Sequence, residues 1–421
     1  MGQDWGSNAD AAAQALQMPA PRWIVYVGVN APALFWLSAL VHYVTGSTAY
    51  IAATSVVLVL ANTVALGLWW PLAKATIQAP SLRLAALATL AFLPCRIIHS
   101  TVFAGDAVVT LPFTLVLWLS YELLREADAR RQAKFAVAVS IALLAGISSR
   151  YTMASAVFVA LLLLLALQRA FPSRKVLAGA LLLIVIVPGL LAAYYHHVYS
   201  HLPAADGRRA FWDHDMDVRS LLMFRAADVD VLRAPQYLDR VSLKGVEVEN
   251  LLLSNRHSYP ALLHLSTFTD VLNIFQSDPS DSYFGARDGL HQQLMTLAVR
   301  SAVPLSLLMI FATLIHLFRT FSYLSRLRAG ASDKSLATVI VLLFSVAFMA
   351  NITLFLPFVQ LAYHNGYWLS RLVIPALLGS CLLGFILLDE RLRSSGARLA
   401  VLAYAAAQAA LHVSFLWMRG P

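Results

Sequence analysis

Apolar stretches of about 20 residues recur along the whole chain, and they constrain its fold more than any other feature. A helix of about 20 apolar residues crosses the hydrocarbon core of a bilayer, and a chain in lipid must satisfy its backbone polar groups internally. Charged residues make up only 13% of the chain and hydrophobic residues 59%, whereas a soluble domain carries about 25% charged residues. The sequence therefore predicts an all-α fold, a polytopic helical membrane protein.

Ten stretches are long and apolar enough to be membrane spans. They cover residues 50–73, 82–100, 107–124, 134–150, 152–170, 175–197, 301–319, 336–358, 369–388 and 397–417. A less apolar stretch at 24–44 is interrupted by Asn30 and Pro32, which favours a helix lying in the membrane interface. We expect about 10 to 11 transmembrane helices, this interfacial N-terminal helix and one long outer loop.

The distribution of Lys and Arg predicts the orientation of the spans. Short basic connections at 123–134, 168–175, 318–334 and 389–398 fall at every second position along the chain. Under the positive-inside rule such connections face the cytoplasm. The other connections, with most of the unusual polar residues, then face outside. The sequence predicts a multi-pass protein of the inner (cytoplasmic) membrane whose active site lies on the outer face.

The same pattern divides the chain into four segments. Residues 1–49 form an outer-face N-terminal segment with the interfacial helix, 50–197 a first transmembrane bundle, 198–300 an outer (periplasmic) loop with interfacial helices, and 301–421 a second transmembrane bundle. An outer N-terminal segment needs something to deliver it across the membrane. We expect an additional upstream helix to do so; the alternative is that 24–44 spans and one element is oriented differently.

Several classes of function and site are not predicted. The net charge of +9 reflects the basic connections of a membrane protein, and no basic tail or aromatic-basic repeat predicts nucleic-acid binding. Cys95 and Cys381 lie in apolar runs and form no disulfide framework. The Asp-His-Asp at 213–215 is interpreted as a solvated turn, and the histidines at 196, 197 and 201 do not share one helical face well. No metal site is predicted, although a divalent cation is left open.

A cluster of ionisable residues interrupts the apolar pattern between Phe92 and Phe113. Arg96 and His99 are three residues apart and share one helical face, and Asp106 begins the following helix. An ionisable residue at membrane depth is a functional hypothesis by default. The alternative is structural, because Arg96 can snorkel to the headgroups and Asp106 can cap a helix. Together the three predict a mostly cationic pocket with one carboxylate, open to the outer face.

Four segments occur in a recognisable order. They are "NAPALFWLSALVHYVTG" with the span that follows it, "FLPCRIIHSTVFAGDAVVTLPF", "LLAGISSRYTMASAVFVALLL" and "YWLSRLVIPALLGSCLLGFILL". This ordered set resembles the GT-C glycosyltransferases, among them the protein O-mannosyltransferases and the aminoarabinose transferase of lipid A. Arg150 and Tyr151 match the basic turn of that family, and Arg371 matches an Arg of its late helix. The chain departs from the family at 30–35, where members have His-Pro-Pro-Leu-Tyr-Tyr.

The resemblance covers about residues 4–175 and 255–390 and implies a membrane glycosyltransferase. Such an enzyme moves a sugar from a polyprenyl-phosphate-linked donor to a glycan, lipid or protein acceptor at the outer face. The family's general base is an acidic residue of the first outer loop, and the matching position here is Asp4, with Asp10 as the fallback. The implied and candidate site residues are Asp4 and Asp106 as catalytic groups, and Arg96, His99, Arg150, Tyr151, His264, Asp270 and Arg371 as substrate-binding groups.

Each proposed role has a chemical reason. Arg96, Arg150 and Arg371 come from separate segments on one face. Either they converge on the donor phosphate, which a guanidinium can bind in two places, or each extends to the headgroups as an interfacial residue. His264 and Asp270 belong to an interfacial stretch and either line the acceptor site or are ordinary hydrogen-bonded loop residues. No cofactor is evident beyond the donor substrate itself.

Two other functions compete with the transferase. One is a lipid or sugar flippase or transporter, and the other is a catalytically inactive GT-C-like scaffold. Transporters tend to carry charges or broken helices near the bilayer midplane. This chain instead collects its polar residues at one face, which favours chemistry at the surface.

Overall fold

The computed structural model describes most of the apolar part of the chain. It covers residues 33–46, 50–100, 105–149, 153–168, 171, 173–200, 263–264, 267–268, 289–328, 333–360 and 373–417. Within these ranges the regular structure is entirely helical. The predicted all-α fold is therefore confirmed for the described part of the chain.

Fourteen helices of seven residues or more account for the described ranges. They are α1 (Ala33–Thr45), α2 (Tyr50–Thr76), α3 (Pro80–Phe92), α4 (Pro94–Ser100), α5 (Gly105–Arg125), α6 (Ala129–Ser149), α7 (Ala154–Ala166), α8 (Arg174–Ser200), α9 (Gly289–Ser301), α10 (Val303–Phe318), α11 (Thr320–Arg328), α12 (Asp333–Gln360), α13 (Ile374–Arg391) and α14 (Ser395–Trp417). Pro80 opens α3, where its missing N–H costs no intrahelical bond. Gly46, at a φ of 61°, follows the end of α1.

Seven helical segments of the described chain are long and apolar enough to cross a membrane. They are α2, α5, α6, α8, the joined pair α9 and α10, α12 and α14. The pair α3 and α4 adds an eighth if it is one span, bent by 48°. The chain is thus a multi-pass helical membrane protein.

Two of the predicted spans differ in the structure. The stretch predicted at 152–170 is the helix α7, whose 13 residues reach only about 20 Å, less than the bilayer core. The stretch predicted at 369–388 corresponds to α13, which carries Asp389, Glu390 and Arg391 in its last turn. Hydropathy alone did not predict that α7 is short or that α13 continues into a charged last turn. The number of 10 to 11 spans is not reached by the described helices.

The helix α13 lies at the centre of the bundle. Most of its residues are buried, from Ile374 to Leu387, and it packs against α3, α5, α10 and α12. Glycines let two of these neighbours approach closely: Gly379 lies against Ser345 of α12, and Gly384 lies against Leu308 of α10. Small residues at such contacts are typical of helix packing in lipid, where association depends on close contact.

Charged side chains connect the helix ends at one end of the bundle, which we call the basic end. Arg319 bonds Glu390 at 2.9 Å, and Lys334 lies 3.7 Å from Asp389 and 3.6 Å from Glu390. The Asp389 carboxylate also accepts hydrogen bonds from the backbone N–H groups of Gln78 and Ala79, each at 3.0 Å. Connections from both halves of the sequence therefore meet at this end, as the alternation of basic connections predicts.

The contact between Gly379 and Ser345 gives a prediction for stability. A methyl group at Gly379 would overlap the Ser345 Oγ and come within 2.9 Å of its Cβ, and α13 is enclosed, so neither helix can withdraw easily. We expect Gly379→Ala to lower the free energy of unfolding by about 1–3 kcal/mol, measured by denaturant unfolding in detergent micelles.

Gly67 of α2 provides the matched control, because a methyl there meets no atom within 4 Å. Gly67→Ala should leave stability unchanged or raise it by up to about 1 kcal/mol through helix propensity. Equal effects of the two substitutions would contradict the close packing of α12 on α13.

Candidate functional site

The candidate site lies at the break between α3 and α4, towards the end of the bundle opposite the basic end. Pro94 has no N–H, so the intrahelical bond it would donate is missing, and the chain bends by 48°. Carbonyl groups at the end of α3 therefore lose their helical partners. In lipid such groups must find other donors within the protein.

Two side chains supply those donors. The Arg96 Nη2 donates to the Ala91 carbonyl at 2.7 Å, and the His412 Nδ1 of α14 donates to the Phe92 carbonyl at 2.9 Å. A carbonyl can only accept, so the hydrogen of the His412 ring lies on Nδ1. Its Nε2 is buried without a partner in the described structure. Arg96 and His412 thus stabilise the bend from opposite sides of the chain.

Arg96 keeps donor capacity that the described residues do not use. Its Nε is buried and has no hydrogen-bond partner among the described atoms, although a guanidinium carries five donors in a planar fork. No carboxylate of the described residues forms an ion pair with it. A half-buried cation with an unused N–H is well suited to an anionic ligand, above all to phosphate oxygens.

The neighbours of Arg96 enclose it from several helices. His99, one turn further along α4, is buried, and α4 packs against α2, α3 and α5. Asn62 of α2 donates to the Ala107 carbonyl at 2.9 Å, so the start of α5 is held against α2. Asp106 lies in the first turn of α5, where only the backbone course is described.

His264 is attached to the bundle by both nitrogens of its ring. Its Nε2 lies 3.0 Å from the Val299 carbonyl and its Nδ1 2.7 Å from the Ser306 Oγ. The carbonyl accepts from Nε2–H, so Nδ1 accepts from the hydroxyl. Both ring nitrogens are therefore used in attaching this turn to α9 and α10. Of the two alternatives drawn from the sequence, the contacts match the hydrogen-bonded loop residue.

Aromatic rings connect His264 to the bent span. The Phe268 ring lies 5.2 Å from the His264 ring and 6.1 Å from the His412 ring, between centroids. His412 in turn bonds Phe92, as described above. The helical residues 263–264 and 267–268, the helix α14 and the bend at Leu93 therefore form one contiguous assembly. Sequence reasoning overlooked His412, and its only signal was a lone histidine in an otherwise apolar span.

The remaining predicted site residues lie outside the described residues. They are Asp4, Arg150, Tyr151, Asp270 and Arg371, together with the fallback Asp10. The structure thus brings Arg96 and His99 together on α4 and places Asp106 at the start of the next helix. Among the described residues, no group of three or more His, Cys, Asp or Glu side chains is arranged to hold a metal ion.

Comparison with known proteins does not identify a family. No family model matches the sequence, and no curated protein matches it. The functional argument therefore depends on the residues of this chain and on the ordered motifs of its sequence.

The bond between His412 and Phe92 predicts a stability effect. Replacing His412 with Phe keeps a ring but leaves the Phe92 carbonyl buried without a donor. We expect His412→Phe to cost about 1–3 kcal/mol of unfolding free energy, measured by denaturant titration in micelles. Ser414→Ala on the same helix is the control, because Ser414 is exposed and bonds only its own helix; wild-type stability of His412→Phe would contradict the role of this bond.

His264 predicts a dependence of stability on pH. Burial of the ring lowers the pKa of His264 below its ordinary value, which is about 6.5. The unfolded chain then binds a proton more readily than the folded one, so the stability contribution is complete above about pH 6.5 and is lost as the pH falls towards the lowered pKa.

This dependence can be measured as thermal stability between about pH 7 and about pH 5. His264→Gln removes the titrating group and should flatten the part of the profile that His264 causes. An unchanged acid dependence in His264→Gln would assign the effect to other groups.

Proposed function

We propose that the protein is a GT-C type membrane glycosyltransferase, which moves a sugar from a polyprenyl-phosphate donor to an acceptor at the outer face of the cytoplasmic membrane. One observation carries the proposal: Arg96 lies half-buried at the bend of a broken span, and its Nε–H is buried and unpaired in the described structure. The ordered motifs of the sequence support the same class.

The reaction explains why a half-buried guanidinium would be needed. An acceptor hydroxyl attacks the anomeric carbon of the sugar while the bond from that carbon to the phosphate oxygen breaks. The electron pair of the broken bond stays on the phosphate, where negative charge increases. Arg96 could donate to two phosphate oxygens and stabilise that charge in a site that excludes water.

The proton of the acceptor needs a carboxylate as general base. Asp4 is the proposed base by its match to the family position, and Asp106 is the alternative because it opens α5 directly after the segment that holds Arg96. Arg150 and Arg371 are proposed as further phosphate-binding cations, with Tyr151 and His99 beside them. Asp270 is proposed at the acceptor side, and His264 as the residue that attaches the outer loop near it.

The interior of the described bundle argues against the competing transporter. Several buried hydroxyl groups in the spans bond carbonyls of their own helix, for example Thr89 to Ala85 and Thr114 to Thr110. All carboxylates whose side chains are described, from Glu122 to Glu390, lie at or near the basic end. The broken span of α3 and α4 is a feature that transporters also have. The described carboxylates nevertheless form no ionic path across the membrane, which favours chemistry at one face over translocation.

Transfer from a panel of radiolabelled polyprenyl-phosphate sugars, in membranes containing the full chain, tests the proposal. We expect Arg96→Gln to lower transfer at least about 100-fold, because a donor to developing charge is worth about 2.7–4 kcal/mol. Asp4→Asn and Arg150→Ala should also abolish turnover. Arg130→Gln is the matched control, because Arg130 is exposed at the basic end and forms no ion pair in the described structure.

Each outcome assigns a function. Full activity in Asp4→Asn would move the base to Asp106 or Asp10. Binding of polyprenyl phosphate without turnover of any donor would indicate a flippase or an inactive scaffold. Absence of both binding and turnover would contradict the transferase. Unfolding curves of Arg96→Gln are recorded in parallel, because Arg96 also stabilises the Ala91 carbonyl.

A further inference from the structure

A stripe of exposed apolar side chains runs along α10. It consists of Leu307, Ile310, Phe311, Leu314, Leu317 and Phe318, spaced three or four residues apart as on one helical face. Because α10 belongs to a membrane span, this stripe faces lipid. It leads directly towards the basic end of the bundle.

The stripe does not stop where α10 ends. Phe318 and Phe321 are each 85% exposed, and Phe321 already belongs to α11. Arg319, at the junction, has near-helical dihedral angles (φ −86°, ψ −2°), so the face of the stripe continues into α11. A soluble surface rarely presents two adjacent exposed Phe rings, whereas aromatic rings at a bilayer boundary are common.

The helix α11 is amphipathic in a way that fits a membrane interface. Its inner face packs on the bundle through buried Tyr323 and partly buried Leu324 and Leu327. Tyr323 is further fixed by a bond of 2.9 Å between its hydroxyl and the His316 Nδ1. On the side of α11 that faces away from the bundle, Phe321 is followed by exposed Ser322, Ser325 and Arg326. The exposed side of α11 thus changes from apolar to cationic within about two helical turns.

The charge around α11 is unbalanced. Glu390 is paired with Arg319, Asp389 with Lys334, and Asp333 with Arg125 at 3.3 Å. Arg326 is exposed and forms no ion pair in the described structure. Other exposed cations at this end also have no described ion pair, namely Arg130, Arg174, Lys175, Arg391 and Arg393. An anionic partner would complement this surface, whereas the described carboxylates beside α11, Asp333, Asp389 and Glu390, are already paired.

We propose that α11 lies in the headgroup layer at the basic end and binds an anionic phospholipid, with Phe318 and Phe321 among the acyl chains and Arg326 on the lipid phosphate. The geometry places the two rings at the end of a lipid-facing stripe and the unpaired guanidinium just beyond them. A basic residue near an anionic lipid surface is worth about 1 kcal/mol. The site is independent of the proposed transferase chemistry at the opposite end.

The depth of α11 in the membrane can be measured with a nitroxide on Phe321→Cys. Cys95 and Cys381 are buried, so the label reacts at the introduced cysteine. Oxygen collides with labels among acyl chains, and a water-soluble nickel chelate collides with labels in water. We expect the collision rates of the label at 321 to lie between those of two controls. Phe311→Cys on α10 is the control deep in the membrane, and Arg393→Cys is the control in water.

The lipid preference is measured as the phosphatidylglycerol retained by the full chain from mixed vesicles of phosphatidylcholine and phosphatidylglycerol. Arg326→Gln should lower the retained phosphatidylglycerol about fivefold, which corresponds to about 1 kcal/mol. Arg130→Gln removes an equally exposed, unpaired cation from α6 and should have a clearly smaller effect.

Four results would overturn the proposal. A label at 321 that collides mainly with the nickel chelate would place α11 in water. A label protected from both reagents would indicate a protein partner or a second copy of the chain on this face. Unchanged retention of phosphatidylglycerol by Arg326→Gln would contradict the proposed contact between Arg326 and the lipid phosphate. Equal losses of retained phosphatidylglycerol in Arg326→Gln and Arg130→Gln would show that the whole basic end attracts anionic lipid and that α11 has no specific site.

Discussion

The need to satisfy every backbone carbonyl inside a membrane determines how this protein can bend a span. Pro94 removes one helical hydrogen bond, and the bend exposes carbonyls at Ala91 and Phe92. In water the solvent would complete those bonds, but in lipid the protein must do so. Arg96 and His412 meet that need from two different helices. The proposed chemistry depends on the same arrangement, because the bend is what holds a guanidinium at membrane depth.

The two ends of the bundle are stabilised by different interactions. At the basic end, ion pairs and the Asp389 carboxylate connect α2, α3, α10, α12 and α13. Several of these pairs are partly exposed, so each contributes little by itself, and their value lies in the network. At the opposite end, the described contacts use aromatic and histidine rings and backbone carbonyls, with Arg96 as a half-buried cation. That division leaves one end suited to anionic membrane surfaces and the other to a single anionic ligand.

The sequence predicted the helical class, most of the spans and the meeting of the basic connections, because hydropathy and the positions of Lys and Arg depend on composition along the chain. It did not predict that α7 is short or that α13 is enclosed, because both depend on packing between distant helices. The partner of His412 is 320 residues away in the chain, and no local pattern could indicate it. Of the candidate site, the pairing of Arg96 with His99 on one helix followed from their spacing, whereas the attachment role of His264 required its contacts with Val299 and Ser306.

The central position of α13 has a consequence for how the protein is made. Its neighbours α3 and α5 are synthesised more than 200 residues before it, and α10 and α12 shortly before it. Until α13 leaves the ribosome, the helices that surround it lack the helix that packs against their inner faces. Lipid tails or a membrane insertase must cover those faces in the meantime. The bundle can therefore close only after α13 has been synthesised and has taken its place among the earlier helices.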